Sequence, residues 1–473
     1  MPDFLLPVAP PIGRNTSSAS LIAACPSRKY QRCFVKQLQA RYPVTQYRLP
    51  PLPRRCAAMK GDNALHDAAC TLPPAEHVLS YFNGPKLVPR KPLRSPPVPY
   101  GNAMRRCNSP VAGGEGTSLL LGVPSSPSAT GQKRRAAIRA SWMRDERVGR
   151  SVVVCFLLSA RTPAQQLAAM QTEQEAHGDM LFVDAPETPW LIRENTKYSG
   201  FLRKGRGMPT FKQYAFFQFA AARYPNVPFV GKIDDDTAPN LRVLVPFLER
   251  LAAVEDQPWM FVGAINWASF VPQSYEFGVR GDRCGFGWSL HNALSNFGAT
   301  FGQRGAPGFI EACDARGGVL PFPYGTGAGY LFSAALLRWV ATSAEVTGWV
   351  ADAAGPSRET LQWQKFEDTS TGYFVSYAPR TVQYVDIGPL VHDIDCHIEG
   401  ERKRRGGGTY RPPTNATILV HNLKGPTAFA YAWAHMQTET LPYNNEECMD
   451  AVRRGGHRPA ARRPSRRPKA RAG

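Results

Sequence analysis

Three consecutive aspartates, Asp234, Asp235 and Asp236, end the apolar run Phe229-Val230-Gly231-Lys232-Ile233. Adjacent carboxylates repel one another, so a fold keeps them at the open end of a buried strand when something positive sits beside them. A divalent cation bound to a diphosphate is such a partner. Alternate side chains of an extended segment point the same way, so Asp234 and Asp236 can share one target while Asp235 faces the opposite side. A solvated acidic turn that caps the following helix is the plainer reading of the same residues.

Other segments carry groups of the same kind. Arg135 and Arg139 stand one helical turn apart and share a face, where their guanidinium forks suit either a diphosphate or acidic residues of the sheet. Gly325, Gly327 and Gly329 form a Gly-x-Gly-x-Gly run, read equally well as a phosphate-approaching loop or as a tight turn before a helix starting at Ser333. Glu367-Asp368 taken alone is a helix-capping pair. His421 follows a strand-like stretch and is followed by Lys424 and Gly425, which can meet phosphate. Val391-His392-Asp393-x-Asp395-Cys396-His397 is a rival cluster, read as a loop.

These groups need elements to position them. The spacing predicts a short helix over 134–143, a strand over 152–158 apolar enough for burial on both faces, a helix over 163–177 and a strand over 180–183. A helix over 210–223, the aspartate-bearing strand 227–233, a helix over 240–254 and a strand over 259–265 follow. Strands alternating with helices of this length predict a largely parallel sheet covered on both sides, in which ligands bind at the carboxyl ends of strands. Residues 266–320 break the pattern and read as a lid or binding loop. Its aromatics Trp267, Phe270, Tyr275, Phe277, Phe286 and Trp288 suit either sugar stacking or local packing.

Charge separates the ends from the middle. Residues 1–110 hold 16 Lys/Arg against 4 Asp/Glu, residues 453–473 hold 9 against none, and the residues between hold 32 against 33. The formal net charge of +20 thus belongs to the two ends, which weakens a nucleic-acid reading based on a basic folded face. Residues 1–130 are rich in proline and read as a largely disordered basic lead; 451–473 read as a disordered basic tail. No apolar run reaches the length of a membrane span, and no clear signal-peptide core is present. Ten cysteines include no CxxC pair, which leaves zinc and thioredoxin-like readings without their spacing. Cys284, Cys313, Cys396 and Cys448 are candidates for disulfides, while Cys155, within an apolar run, is expected as a packed core thiol. Asn15 and Asn415 head glycosylation sequons.

Four segments occur in a telling order: Arg135-Ala136-Ala137-Ile138-Arg139-Ala140-Ser141-Trp142, Lys232-Ile233-Asp234-Asp235-Asp236, Pro323-Tyr324-Gly325-Thr326-Gly327-Ala328-Gly329-Tyr330-Leu331-Phe332-Ser333, and Phe366-Glu367-Asp368-Thr369-x-x-Gly372. Together they resemble the signatures of β-1,3-galactosyltransferase-like enzymes, glycosyltransferase family 31: Arg-x-x-Ile-Arg-x-Thr-Trp, Lys-x-Asp-Asp-Asp, Pro-Tyr-x-x-Gly-x-Gly-Tyr-x-x-Ser and Glu-Asp-Val-x-x-Gly. Ser141 replaces the usual Thr and Thr369 the usual Val. The resemblance covers about residues 131–425 and implies a catalytic domain over 131–450 with the two-lobed nucleotide-sugar (GT-A-like) α/β fold.

What the resemblance implies for function is an inverting, metal-dependent hexosyltransferase. The donor would be UDP-galactose or UDP-N-acetylglucosamine and the acceptor a glycan, joined by a β-1,3 linkage. Asp234, Asp236 and His421 would hold the metal, for which mixed oxygen and imidazole ligands favour Mn²⁺. Arg135, Arg139, Asp234, Asp235 and Lys424 would face the donor nucleotide, and Gly325, Gly327 and Gly329 would lie beside the sugars. Asp368 would deprotonate the acceptor hydroxyl, with Glu367 as its neighbour and second catalytic residue. Golgi localisation with a membrane anchor is implied too, although the sequence shows no anchoring helix. A metal-dependent phosphate hydrolase and a nucleic-acid-binding protein using the basic ends are the rival expectations.

Overall fold

The computed structural model describes residues 40–47, 82–83, 107, 116–185, 210–253, 259–268, 286–287, 322–354, 367–393 and 416–437. In chain order the strands are β1 (Val44–Tyr47), β2 (Phe82–Asn83), β3 (Leu119–Pro124), β4 (Val152–Ser159), β5 (Met180–Val183), β6 (Phe229–Ile233), β7 (Ala238–Pro239), β8 (Trp259–Ala268), β9 (Phe286–Gly287), β10 (Phe322–Ser333), β11 (Val382–Asp386), β12 (Val391–Asp393) and β13 (Leu419–His421). The helices are α1 (Ala129–Arg139), α2 (Ala164–His177), α3 (Thr210–Arg223), α4 (Leu241–Ala252), α5 (Ala334–Thr342), α6 (Ala344–Ala354), α7 (Glu367–Ser376) and α8 (Pro426–Gln437).

The main sheet runs β2-β1-β11-β8-β10-β6-β3-β4-β5, with β9 paired to β8. Strands β6, β3, β4 and β5 are mutually parallel, as are β1, β11 and β8. Between these two blocks β10 runs antiparallel to both neighbours. A smaller sheet, β12-β13-β7, sits beside the carboxyl end of β6.

Both faces of the main sheet are covered, which is why its strands read as unbroken apolar runs. Along β4, Val153, Cys155 and Leu157 pack with Phe216 and Phe217 of α3 and Leu336 of α5. Val152, Val154, Phe156 and Leu158 pack on the other face with Ile138 of α1, Leu244 and Leu248 of α4 and Phe429 of α8. The alternation follows from the two-residue period of a strand. Among the described residues no helix is long and apolar enough to cross a membrane.

Several expectations change. The domain does not open at residue 131: β3, inside the segment read as a disordered lead, lies between β6 and β4, and Val44–Gln46 pair with β11. Leu119, Leu120 and Leu121 are fully buried, so the lead supplies part of the core. Cys155 is no free thiol: it is bridged to Cys107. Gly325, Gly327 and Gly329 form no turn but belong to β10, whose register against β8 shifts between Gly325 and Tyr330. His392 lies on β12 rather than in a loop, buried, with its Nδ1 2.8 Å from Thr417 Oγ1. Trp267 is buried against Tyr42, ring centroids 5.9 Å apart, and so packs rather than presenting a sugar platform. Phe270, Tyr275, Phe277, Trp288, Cys284, Cys313, Cys396, Cys448, Asn15, Asn415, Asp395 and His397 lie outside the described residues, as does the tail 451–473.

Candidate active site

The chain turns at the end of β6, where the Thr237 N–H donates to the Asp234 carbonyl at 3.0 Å. It then enters β7, which pairs with β13 through Pro239 and Leu419, and Ala238 and Val420. That pairing brings His421, at the end of β13, against the aspartates. His421 Nε2 lies 3.4 Å from Asp236 Oδ1 and 3.9 Å from Asp234 Oδ2. One ligand atom from each of Asp234, Asp236 and His421 falls within 4.8 Å of the others.

The remaining oxygens of the two aspartates are held by lysines. Asp236 Oδ2 accepts from Lys424, whose side chain is 45% exposed. Asp234 Oδ1 accepts from Lys232 Nζ at 2.6 Å. Burial opposes ionisation of Asp236, but His421 and Lys424 outweigh it and hold its carboxyl well below the usual range. Asp235 turns the other way, to Arg134 on α1. Desolvation pushes Asp235 up to about 6, against the pull of Arg134 and with repulsion from Asp236 and Asp234 adding to it.

Behind this group lies α7. Glu367, in its first turn, pairs with Lys232 and accepts from Tyr330 Oη at 2.8 Å. Desolvation pushes the Glu367 carboxyl up to about 7, against Lys232, with Asp368 and Asp234 adding repulsion. Burial alone would lower Lys232, yet Asp234 and Glu367 outweigh it and hold the ammonium charged. Asp368 is half-buried, and its Oδ1 accepts the Thr369 N–H at 2.7 Å. Burial raises its pKa, opposed by Lys232 and by the Thr369 N–H and assisted by Asp234. Gly372 lets α7 lie directly on β10: a Cβ there would run into Tyr324 and sit 2.8 Å from the Pro323 carbonyl.

The structure therefore gathers Asp234, Asp236, His421, Lys424, Glu367 and Gly327, whose missing Cβ would lie 2.9 Å from Asp234 Oδ2. Gly325 packs against Phe261 and Tyr330, and Gly329 against Ile233 and Leu419. Arg135 and Arg139 stand apart from the site. Arg135 is buried and donates to Glu173 at 2.9 and 2.6 Å and to Ser125 Oγ at 2.9 Å. Arg139 donates to Glu173 at 2.6 Å and to Asp179 at 2.8 Å. These acids, on α2 and before β5, engage the guanidinium groups of both arginines. Arg134, one residue earlier and pointing to Asp235, is the arginine that sequence reasoning missed. Its neighbour's helical spacing carried no signal for it.

No protein-family model matches the chain, and no curated protein does. Among solved structures the chain is similar to the galactosyltransferase LgtC in complex with donor and acceptor sugar analogues, at 11% identity and a TM-score of 0.32, over 71% of this chain and 95% of that one. It is similar also to an active-site mutant of LgtC, at 12% identity and a TM-score of 0.31, over the same shares.

Proposed function

We propose that this protein is an inverting, metal-dependent glycosyltransferase that transfers galactose or N-acetylglucosamine from a UDP-sugar to a glycan hydroxyl, forming a β-1,3 linkage. The observation that carries the reading is the meeting of Asp234, Asp236 and His421, from two separate segments, at the carboxyl end of β6. The resemblance of four ordered segments to glycosyltransferase family 31 supplies the reaction.

The donor set fits the metal. Two carboxylate oxygens and one imidazole nitrogen suit Mn²⁺, and ligands about 2.0–2.2 Å from one ion lie within about 4.4 Å of one another. The three ligand atoms lie within 4.8 Å of one another, so a small inward shift of the side chains would bring them into range of one ion. Bound there, the ion would neutralise the diphosphate of the departing nucleotide. Lys424 stands beside it, and its exposed ammonium can add a contact to the same phosphates. Asp368, with a carboxyl of raised pKa, accepts the proton of the attacking acceptor hydroxyl. Inversion needs one such base. Gly327 leaves space at Asp234 for the donor sugar. The Cys107–Cys155 bridge suits an oxidising compartment, in keeping with a Golgi location.

The test is a donor-hydrolysis screen across UDP-sugars with and without Mn²⁺, paired with calorimetry of UDP binding to wild type and to Asp236→Ala. Mn²⁺-dependent release of free sugar, and loss of UDP binding in the variant, are expected. UDP binding unchanged in Asp236→Ala would overturn the metal assignment, and release of inorganic phosphate in place of sugar would favour a phosphate hydrolase.

A further inference from the structure

Lys232 is a fully buried lysine inside an apolar strand. Lysines are almost never buried without partners, and a buried ion pair adds little stability over well-packed apolar residues of similar volume. Its burial there therefore calls for a reason beyond holding the sheet together.

An ammonium has three donors and no acceptor. Here the three go to Asp234 Oδ1 at 2.6 Å, to the Gly327 carbonyl at 3.1 Å, and to Glu367 Oε1. Glu367 is held in turn: Oε2 accepts from Tyr330 Oη at 2.8 Å. Tyr330, itself fully buried, contacts Thr371 Oγ1 at 3.0 Å and Gln213 Nε2. The chain thus runs from the core of the sheet to one oxygen of Asp234. With Oδ1 taken, Asp234 turns Oδ2 toward His421.

We propose that Lys232, Glu367 and Tyr330 form a positioning chain that fixes Asp234 as a ligand through Oδ2 alone. Both oxygens of Glu367 are occupied by that task. Glu367 is therefore an anchor, not a partner in proton transfer, and Asp368 is the carboxylate of the pair that is left for the acceptor. The chain also explains why the Glu-Asp pair opens α7 at this depth: the first residue must reach the buried ammonium while the second stays only half-buried.

This proposal rests on the metal-dependent reading above, and Mn²⁺ titration followed by electron paramagnetic resonance on the full chain separates the two. Outer partners of metal ligands typically contribute about 10–100-fold in metal affinity. Glu367→Gln should raise the Mn²⁺ dissociation constant about 10-fold or more. Tyr330→Phe, which removes a single hydroxyl, should raise it by a smaller factor while the protein stays folded. A purely structural role would lower the melting temperature and leave the constant alone. Wild type that binds no Mn²⁺ would overturn the metal reading itself. Wild type that binds, with both variants binding equally well, would overturn the positioning chain only. Should Glu367→Gln not fold, Tyr330→Phe decides.

Discussion

The main-chain N–H of Leu423 donates to the carbonyl of Asp236 at 2.9 Å. That bond ties the loop after β13 to the loop after β6, and so couples His421 and Lys424 on one side to Asp234 and Asp236 on the other. This backbone bond acts alongside the side-chain contacts of His421 and Lys424 with Asp236 in holding the two halves of the candidate metal site together.

The coupling depends on Asn422, which has φ 71°, the only positive value for a non-glycine residue among those described. Asparagine tolerates this left-handed conformation and a β-branched residue does not. Asn422→Val should cost about 1–3 kcal/mol of stability and weaken Mn²⁺-dependent UDP binding by displacing His421. Asn422→Gly should keep both. Urea unfolding and calorimetry read the pair, and a Val variant indistinguishable from wild type would show that the turn is not constrained.

Glu173 gives a stability prediction with a pH sign. Burial raises its pKa, but hydrogen bonds from Arg135 and Arg139 outweigh this and leave it depressed. A carboxyl lowered in the folded state stabilises above its unfolded pKa, about 4.3, and that contribution disappears as pH falls through the folded value. Breaking a buried ion pair costs about 3–5 kcal/mol, so Glu173→Gln should unfold at clearly lower urea at pH 7. The gap between variant and wild type should close toward pH 3. UDP affinity of the variant at pH 7 should be unchanged; a large loss would return Arg135 and Arg139 to the donor site.

Much of the frame was legible because its signals are local. The run Val152–Leu158 and the spacing of α3 announce a covered strand and an amphipathic helix without knowledge of their neighbours. The three aspartates announced their place at a strand end for the same reason. What escaped depends on distant partners. Leu119-Leu120-Leu121 is too short a run to stand out beside a Pro-rich lead, and it is a strand because β4 and β6 flank it. The glycines of β10 carry turn composition, yet two neighbouring strands hold them extended. Lys232 stands in the sequence only as part of the Lys-x-Asp-Asp-Asp segment and takes no role of its own there, since Glu367 and Tyr330, which make its burial possible, lie far along the chain. Cys155 read as a core thiol because nothing in the sequence singles out Cys107 as its partner.

The Cys107–Cys155 bridge spans 48 residues and joins the segment before β3 to the middle of β4. Closing a loop of this length removes unfolded-state entropy worth about 4 kcal/mol at 25 °C in the chain-entropy account. Cys107→Ala should therefore lower the urea midpoint markedly under oxidising conditions, and reductant should lower that of wild type by more than that of the variant. Peptide mapping by mass spectrometry of unreduced protein checks the pairing directly. Recovery of Cys107 as a free thiol would show that the bridge does not form.

Asp368→Asn separates base from binder. The Thr369 N–H occupies Oδ1 at 2.7 Å, and among the described residues no hydrogen bond is made to Oδ2, the oxygen left for an acceptor hydroxyl. Asparagine keeps the size of the side chain and can still accept from Thr369, but it has no basic oxygen to take a proton. Transfer to acceptor should fall about 10²–10⁴-fold, while UDP and Mn²⁺ binding, which the proposed function assigns to Asp234, Asp236 and His421, should persist. Turnover and calorimetry on the same preparation report the two separately. Near-normal transfer would remove Asp368 as the base. Loss of UDP binding together with activity would instead place it in the nucleotide or metal shell, where its nearness to Lys232 and Asp234 already makes its charge felt.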